Sequence, residues 1–270
     1  MSNRDSSEEK NLVTSTSSPQ LKSVKDGSKK RKRSSHESAV YPKKSKFKKI
    51  PENDVIDSEA GLNTAFSGMD SQLLADYVAQ RTRMYECDLS LVELEDKFLR
   101  VNSITDTTTW DKSRILDNLP AFLEKFSGNI TKLWSASKKN GAPHTIIIAS
   151  SGLRAANIAR TVRKYPSKEA KVAKLFAKHI KIKDAINFLK NNRTGIAIGT
   201  PQRIKDLIEQ GALNIDRLER IIIDASHIDK KKRGILEMKE TQVPLIVLLS
   251  HKELRDKYCV DNSGVKILFY

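Results

Sequence analysis

Short apolar runs rich in β-branched residues recur through the C-terminal half of this 270-residue chain, alternating with stretches of helical spacing. The clearest run is Thr145-Ile146-Ile147-Ile148-Ala149, entered past Gly141 and Pro143 and left through Ser150-Ser151-Gly152. Others stand at 172–176, 195–199, 220–224 and 245–249, with a last one at 265–269. The spacing between them predicts helices over about 153–164, 181–190, 202–210, 230–239 and 251–257. A continuously apolar strand has no polar face to offer water, so it must be covered on both sides. Such strands alternating with helices specify an α/β domain built on a parallel sheet. Ligands of these sheets bind beyond the carboxyl ends of the strands.

Upstream the period changes. Leu73, Leu74, Tyr77 and Val78 recur at helical spacing behind Asp70 or Ser71 as a cap, and a second amphipathic stretch runs from Asp88 to about Leu99. Ser103–Trp110 reads as loop or extended chain. Leu119, Phe122, Leu123 and Phe126 predict a helix over 118–126, with a further one over 129–138. These helices either pack on the α/β domain or dock on another protein. The organisation expected is a tail (1–60), a helical region (69–140) and an α/β domain (141–270).

Charge narrows the choice of partner. The chain carries a net charge of +16. Residues 1–60 hold 14 Lys/Arg against 9 Asp/Glu and 13 Ser, with few large apolar side chains. Such a segment cannot bury enough apolar area to offset chain entropy and is expected to be disordered. Its runs Lys29-Lys30-Arg31-Lys32-Arg33 and Lys43-Lys44-Ser45-Lys46-Phe47-Lys48-Lys49 read as a nuclear or nucleolar address, or as a solubilising charge run. The window 151–210 holds 14 Lys/Arg against 4 Asp/Glu. Clustering of that order is the footprint of phosphate contact, with solvated helix faces as the alternative.

Other classes are disfavoured. No apolar run approaches the roughly 18–20 residues of a membrane helix. The Ser- and Glu-rich start is unlike a secretory signal. Two cysteines, Cys87 and Cys259, without paired spacing exclude a disulfide scaffold and suit a reducing compartment. The five histidines show no metal-ligand spacing. No metal, cofactor, membrane or small-molecule substrate is expected; the expected partner is polyanionic.

The residues just past the strands carry a resemblance. Gly195-Ile-Ala-Ile-Gly-Thr-Pro-Gln-Arg-Ile-Lys-Asp-Leu-Ile208 resembles the strand and Thr-Pro-x-Arg motif of the first RecA-like domain of DEAD-box RNA helicases. Leu218–His227 resembles the strand with the acidic box, Ser150–Ala155 stands where the Pro-Thr-Arg-Glu-Leu-Ala motif falls, and Ser250 at the Ser-Ala-Thr position. The resemblance implies a RecA-like sheet. It also implies RNA-backbone contacts from Ser151, Gly152 and Arg154 and from Thr200, Pro201 and Arg203, with Lys205 beside them. Gly152 and Leu153 replace the family's Arg and Glu, which puts Arg154 in doubt. For Thr200-Pro201 a helix cap is an equally physical role, and for Arg203 a structural salt bridge.

The departures decide the activity. No Gly-x-x-x-x-Gly-Lys-[Ser/Thr] phosphate loop precedes the 145–149 strand; residues 100–144 hold only Gly128 and Gly141. In the box Asp224-Ala225-Ser226-His227, Ala225 stands where the family has its catalytic Glu. Neither Mg²⁺–ATP positioning nor water activation is then supplied. Asp224 is expected to be structural, and His227 and His179 to be ordinary loop histidines. With only twenty residues after Ser250, one such domain is expected instead of two. The domain is a degenerate one, and no enzyme is expected.

A second resemblance covers about 70–270. Ala75-Asp76-Tyr77 with Gln80-Arg81-Thr82-Arg83, Asp88–Asp96, Asn118–Phe126 and Val172–His179 resemble the Cms family of nucleolar proteins of the 90S pre-ribosome, or small-subunit processome. It implies an inactive helicase-like assembly factor whose partners are pre-ribosomal RNA and processome proteins. The alternatives are a residual ATPase completed in trans and a protein-interaction scaffold without RNA.

Overall fold

Five of the six expected apolar runs form strands, and each is parallel to its neighbours. The computed structural model describes residues 55–164, 170–178, 180–260 and 264–270. An antiparallel ribbon, β1 (Ile56–Asp57) and β2 (Leu62–Asn63), comes first. Helices α1 (Ser71–Tyr85), α2 (Leu91–Glu95), α3 (Leu119–Lys125) and α4 (Ile130–Leu133) follow. Then come β3 (Thr145–Ile148), α5 (Gly152–Val162), β4 (Lys171–Leu175), α6 (Ile182–Asn191), β5 (Thr194–Gly199), α7 (Pro201–Glu209) and β6 (Arg220–Ile223). Last are α8 (Lys239–Leu249), α9 (Lys252–Tyr258) and β7 (Lys266–Phe269). The sheet order is β4-β5-β3-β6-β7. Register is set by isoleucines: Ile146 pairs with Ala197 and Ile221, and Ile221 with Ile267.

Alternation along β3 divides the core. Ile146 and Ile148 pack into one cluster with Leu74 and Val78 of α1, Ile204 and Leu207 of α7 and Leu245 of α8. Ile147 and Ala149 pack into the other with Ile158 of α5, Phe122 and Leu123 of α3, and Tyr270. The sheet is thus covered on both faces.

Three expectations fail. The run 245–249 is the end of α8, not a strand, and 266–269 takes the fifth sheet position. A short apolar run reads alike as a buried strand or a buried helix. The neglected signal was Pro244, which cannot donate to a central ladder. Ser250 therefore caps a helix and does not follow a strand. The interval expected as a helix over 230–239 is loop up to the start of α8 at Lys239, because the Asp229 carboxylate captures the amides of Lys231 and Arg233 and competes with helical bonds. The helix expected over 129–138 is a single turn, 130–133.

The helical region packs on the domain through α1. Asp70 caps it, accepting from Leu73 N at 2.8 Å. Tyr77 donates to Glu237 Oε1 at 2.6 Å, Tyr85 to the Glu237 carbonyl at 2.6 Å, and Gln242 of α8 to Thr82 Oγ1 at 3.0 Å. The described residues include positions before 60, and β1 pairs with β2 from Ile56. Both basic runs of the tail, and His179, lie outside the described residues.

Candidate nucleic-acid interface

The topology places a crevice. Strands β3 and β5 are neighbours, yet the helix after β3 packs in one layer and the helix after β5 in the other. Chains that diverge to opposite faces leave a gap at the carboxyl ends, and that gap is the ligand site of open α/β sheets. Ser150–Gly152 forms one lip and Thr200–Arg203 the other.

Glycine makes the lips close-fitting. A Cβ on Gly199 would lie 2.1 Å from the Leu175 carbonyl, so only glycine lets β4 end against β5. Thr200 N then donates to that carbonyl at 3.1 Å. A Cβ on Gly152 would meet Lys178 Cβ at 3.3 Å and the Phe176 ring at 3.4 Å. The loop after β4 is thus drawn over the start of α5, carrying exposed Lys178 to the crevice.

The expected contact residues divide into engaged and available groups. Ser151 Oγ accepts from Arg154 N at 3.2 Å and caps α5. Pro201 is buried at the first position of α7. Thr200 occupies the cap position, but its hydroxyl makes no cap bond and is half-buried beside the helix amides. Arg203 forms no salt bridge among the described residues; one guanidinium N–H reaches the Ile180 carbonyl at 3.0 Å, and the group has five N–H donors. Lys205 pairs with Glu209 at 2.6 Å, which offsets part of its charge. Lys174, Lys178, Lys181 and Lys183 are exposed and have no ion pair among the described residues.

Arg154 is engaged away from the crevice. It is 9% exposed and forms a two-pronged ion pair with Asp224, itself 2% exposed: Nε to Oδ2 at 2.8 Å and Nη2 to Oδ1 at 2.9 Å. Its place in the sequence put it on the crevice, but the side chain turns under the sheet edge toward β6. The Asp224 carboxylate is accordingly engaged in a buried ion pair. Ala225 and Ser226 are buried, and the Ser226 amide donates to the Tyr270 carbonyl at 2.7 Å. His227 is half-buried, and burial, then the Arg154 charge, holds its pKa below the usual value.

Arg114 was missed altogether. Beside β7 the chain runs parallel at Ile104, and Thr105 N donates to the Ile267 carbonyl at 2.8 Å. Arg114 then folds back, hydrogen-bonding the Phe269 carbonyl and Thr107 Oγ1, the latter at 3.0 Å. Burial pushes its pKa down to about 10. Tyr270 donates to the Ile115 carbonyl at 2.6 Å. Residues 104–115, within the stretch that lacks a phosphate-loop motif, thus plug the carboxyl end of β7 with side chains. Nothing in the local pattern of Asp111-Lys112-Ser113-Arg114 marks this role; it depends on contacts more than 150 positions away.

The resemblances noted above have counterparts among known proteins. A family model described as "CMS1: U3-containing 90S pre-ribosomal complex subunit" matches residues 14–270. Protein CMS1 of Chaetomium thermophilum is 50% identical over 232 residues, 85% of this chain and 92% of that protein. Protein CMS1 of Saccharomyces cerevisiae is 31% identical over 73% of this chain and 64% of its own. Human protein CMSS1 is 30% identical over 66% of this chain and 59% of its own. Among solved structures, a DEAD box protein from Methanococcus jannaschii is similar with a TM-score of 0.38 at 19% identity, over 58% of this chain and 37% of that one. This chain therefore spans little more than a third of that protein. On the family match and its relatives, the chain belongs to the CMS1 family of U3-containing 90S pre-ribosomal complex subunits, components of ribosome assembly.

Proposed function

We propose that this chain is a non-catalytic assembly factor that holds pre-ribosomal RNA by its backbone at the crevice between β3 and β5. The observation that carries the reading is the pairing of charges. Lys178, Lys181 and Arg203 have no carboxylate partner among the described residues, whereas Asp224, the surviving acid of the box, is buried against Arg154. Cations at a helix N-terminus with a spare hydroxyl suit phosphate oxygens and read no bases. With the end of β7 plugged by Arg114 and no second carboxylate beside Asp224 in the sequence, no group among the described residues is placed to activate water or position Mg²⁺–ATP. Nucleolar residence through the basic runs at 29–49, and processome proteins as further partners, belong to the same reading.

The direct test is the salt slope of RNA binding. Arg203→Ala should lower the slope of log K against log salt by roughly 0.7–0.9, one phosphate, without changing sequence preference. Lys205→Ala should lower it less, since Glu209 already offsets that charge. An unchanged slope for Arg203→Ala refutes the crevice as the contact. Turnover of ATP by the purified chain should stay at background with and without RNA; RNA-stimulated hydrolysis abolished by Asp224→Ala would refute the non-catalytic reading. Deleting 29–49 should reduce nucleolar signal of a fluorescent fusion, and an undiminished signal would mean arrival on a partner.

A further inference from the structure

A second basic element lies outside the window 151–210. Beyond the carboxyl end of β6 the chain continues as an extended segment: Asn63 N donates to the Ser226 carbonyl at 2.7 Å and Ile228 N to the Gly61 carbonyl at 3.0 Å. It then closes into the turn Asp229-Lys230-Lys231-Lys232-Arg233. Asp229 organises the turn from inside. Its Oδ1 accepts the amides of Lys231 at 2.8 Å and Arg233 at 2.9 Å, and its Oδ2 accepts the Arg233 guanidinium at 3.0 Å. Asp229 N donates to the Arg233 carbonyl at 2.9 Å, and Lys232 N to the Asp229 carbonyl at 2.8 Å. Lys232 sits at φ 59°, the left-handed region that a residue with a side chain enters at a cost.

The charges are arranged by that pinning. Arg233 and Asp229 neutralise each other, and the next acid, Glu237, is engaged by Tyr77 and the Gly234 amide. Lys230, Lys231 and Lys232 are left exposed with no ion pair among the described residues. Three consecutive ammonium groups on a fixed turn repel one another, and a free loop would relax by spreading them. Here the Asp229 bonds hold them together, which suits a ligand of closely spaced negative charge.

We propose that the Lys230–Lys232 turn is a second RNA-backbone contact, receiving the strand that the β3–β5 crevice holds. The proposal rests on the RNA reading of that crevice. β6 is the neighbour of β3 in the sheet, about 4.8 Å away, so both elements stand beyond the same sheet edge. RNA is favoured over an acidic protein segment because it would continue the row of unpaired cations at Lys178, Lys181 and Arg203 along that edge.

The test uses the full chain and a short single-stranded RNA titrated at several salt concentrations. Replacing Lys230, Lys231 and Lys232 together by Ala should lower the salt slope by about two, at roughly 0.7 per single-strand phosphate, with the melting temperature unchanged. Asp229→Ala should weaken binding although it removes a negative charge, because the turn loses its pins. If the triple variant keeps the wild-type slope while Arg203→Ala changes it, the turn is no contact and the crevice reading stands. If only the triple variant changes it, the turn is the contact and the crevice reading falls. Binding that strengthens in Asp229→Ala overturns the role of the pinned geometry. Displacement of the RNA from the wild type, but not from the triple variant, by polyglutamate at equal charge concentration would assign the turn to an acidic protein partner and overturn the proposal.

Discussion

Asp224→Ala is expected to cost about 3–5 kcal/mol of folding stability, the range for removing one partner of a buried ion pair. The cost arises because Arg154 is left charged, dry and without its two acceptors at the sheet's carboxyl end. Urea unfolding should show a lower midpoint with an unchanged slope. Replacing both partners at once, Arg154→Met with Asp224→Leu, should recover most of the loss, since an apolar pair of similar volume leaves no stranded charge. A loss under about 1 kcal/mol for Asp224→Ala would fit the range of a solvated surface pair. The end of β6 would then be open, and Asp224 would be free for other chemistry.

Much of the architecture was readable from local pattern, because an isoleucine run such as 145–149 or 220–224 allows little besides a buried strand. What was lost was either a local signal without periodicity or a partner remote in sequence. Pro244 inside 239–249 would have removed that segment from the strands, but its apolar neighbours outweighed it. The turn at 229–233 looked helical because lysines suit helices; the decisive group was the Asp229 side chain, whose effect on its own backbone has no periodicity. At the crevice, the Thr-Pro-x-Arg stretch located Thr200, Pro201 and Arg203 on one lip, and the structure sets Ser151 and Gly152 on the other. The same spacing put Arg154 there too. A spacing argument fixes where a Cα lies; it does not show that a guanidinium has a buried carboxylate 70 positions away. Arg114 gave no signal at all, since its acceptors are the Phe269 carbonyl and a threonine held by β7.

The central claim is that this sheet edge grips RNA through phosphates alone, and equilibrium binding across a salt series tests it most directly. The crevice offers Lys178, Lys181 and Arg203, so about three phosphates would be neutralised there, at roughly 0.7 released counterions each on a single strand. Between about 50 and about 200 mM salt, affinity for a short single-stranded RNA should then fall by at least about 20-fold, and the Lys230–Lys232 turn adds to that. Two RNAs of the same length and unrelated sequence should give the same curve, since backbone contacts carry no base information. Affinity that barely changes with salt, that differs tenfold between the two sequences, or that is absent at low salt would contradict the account.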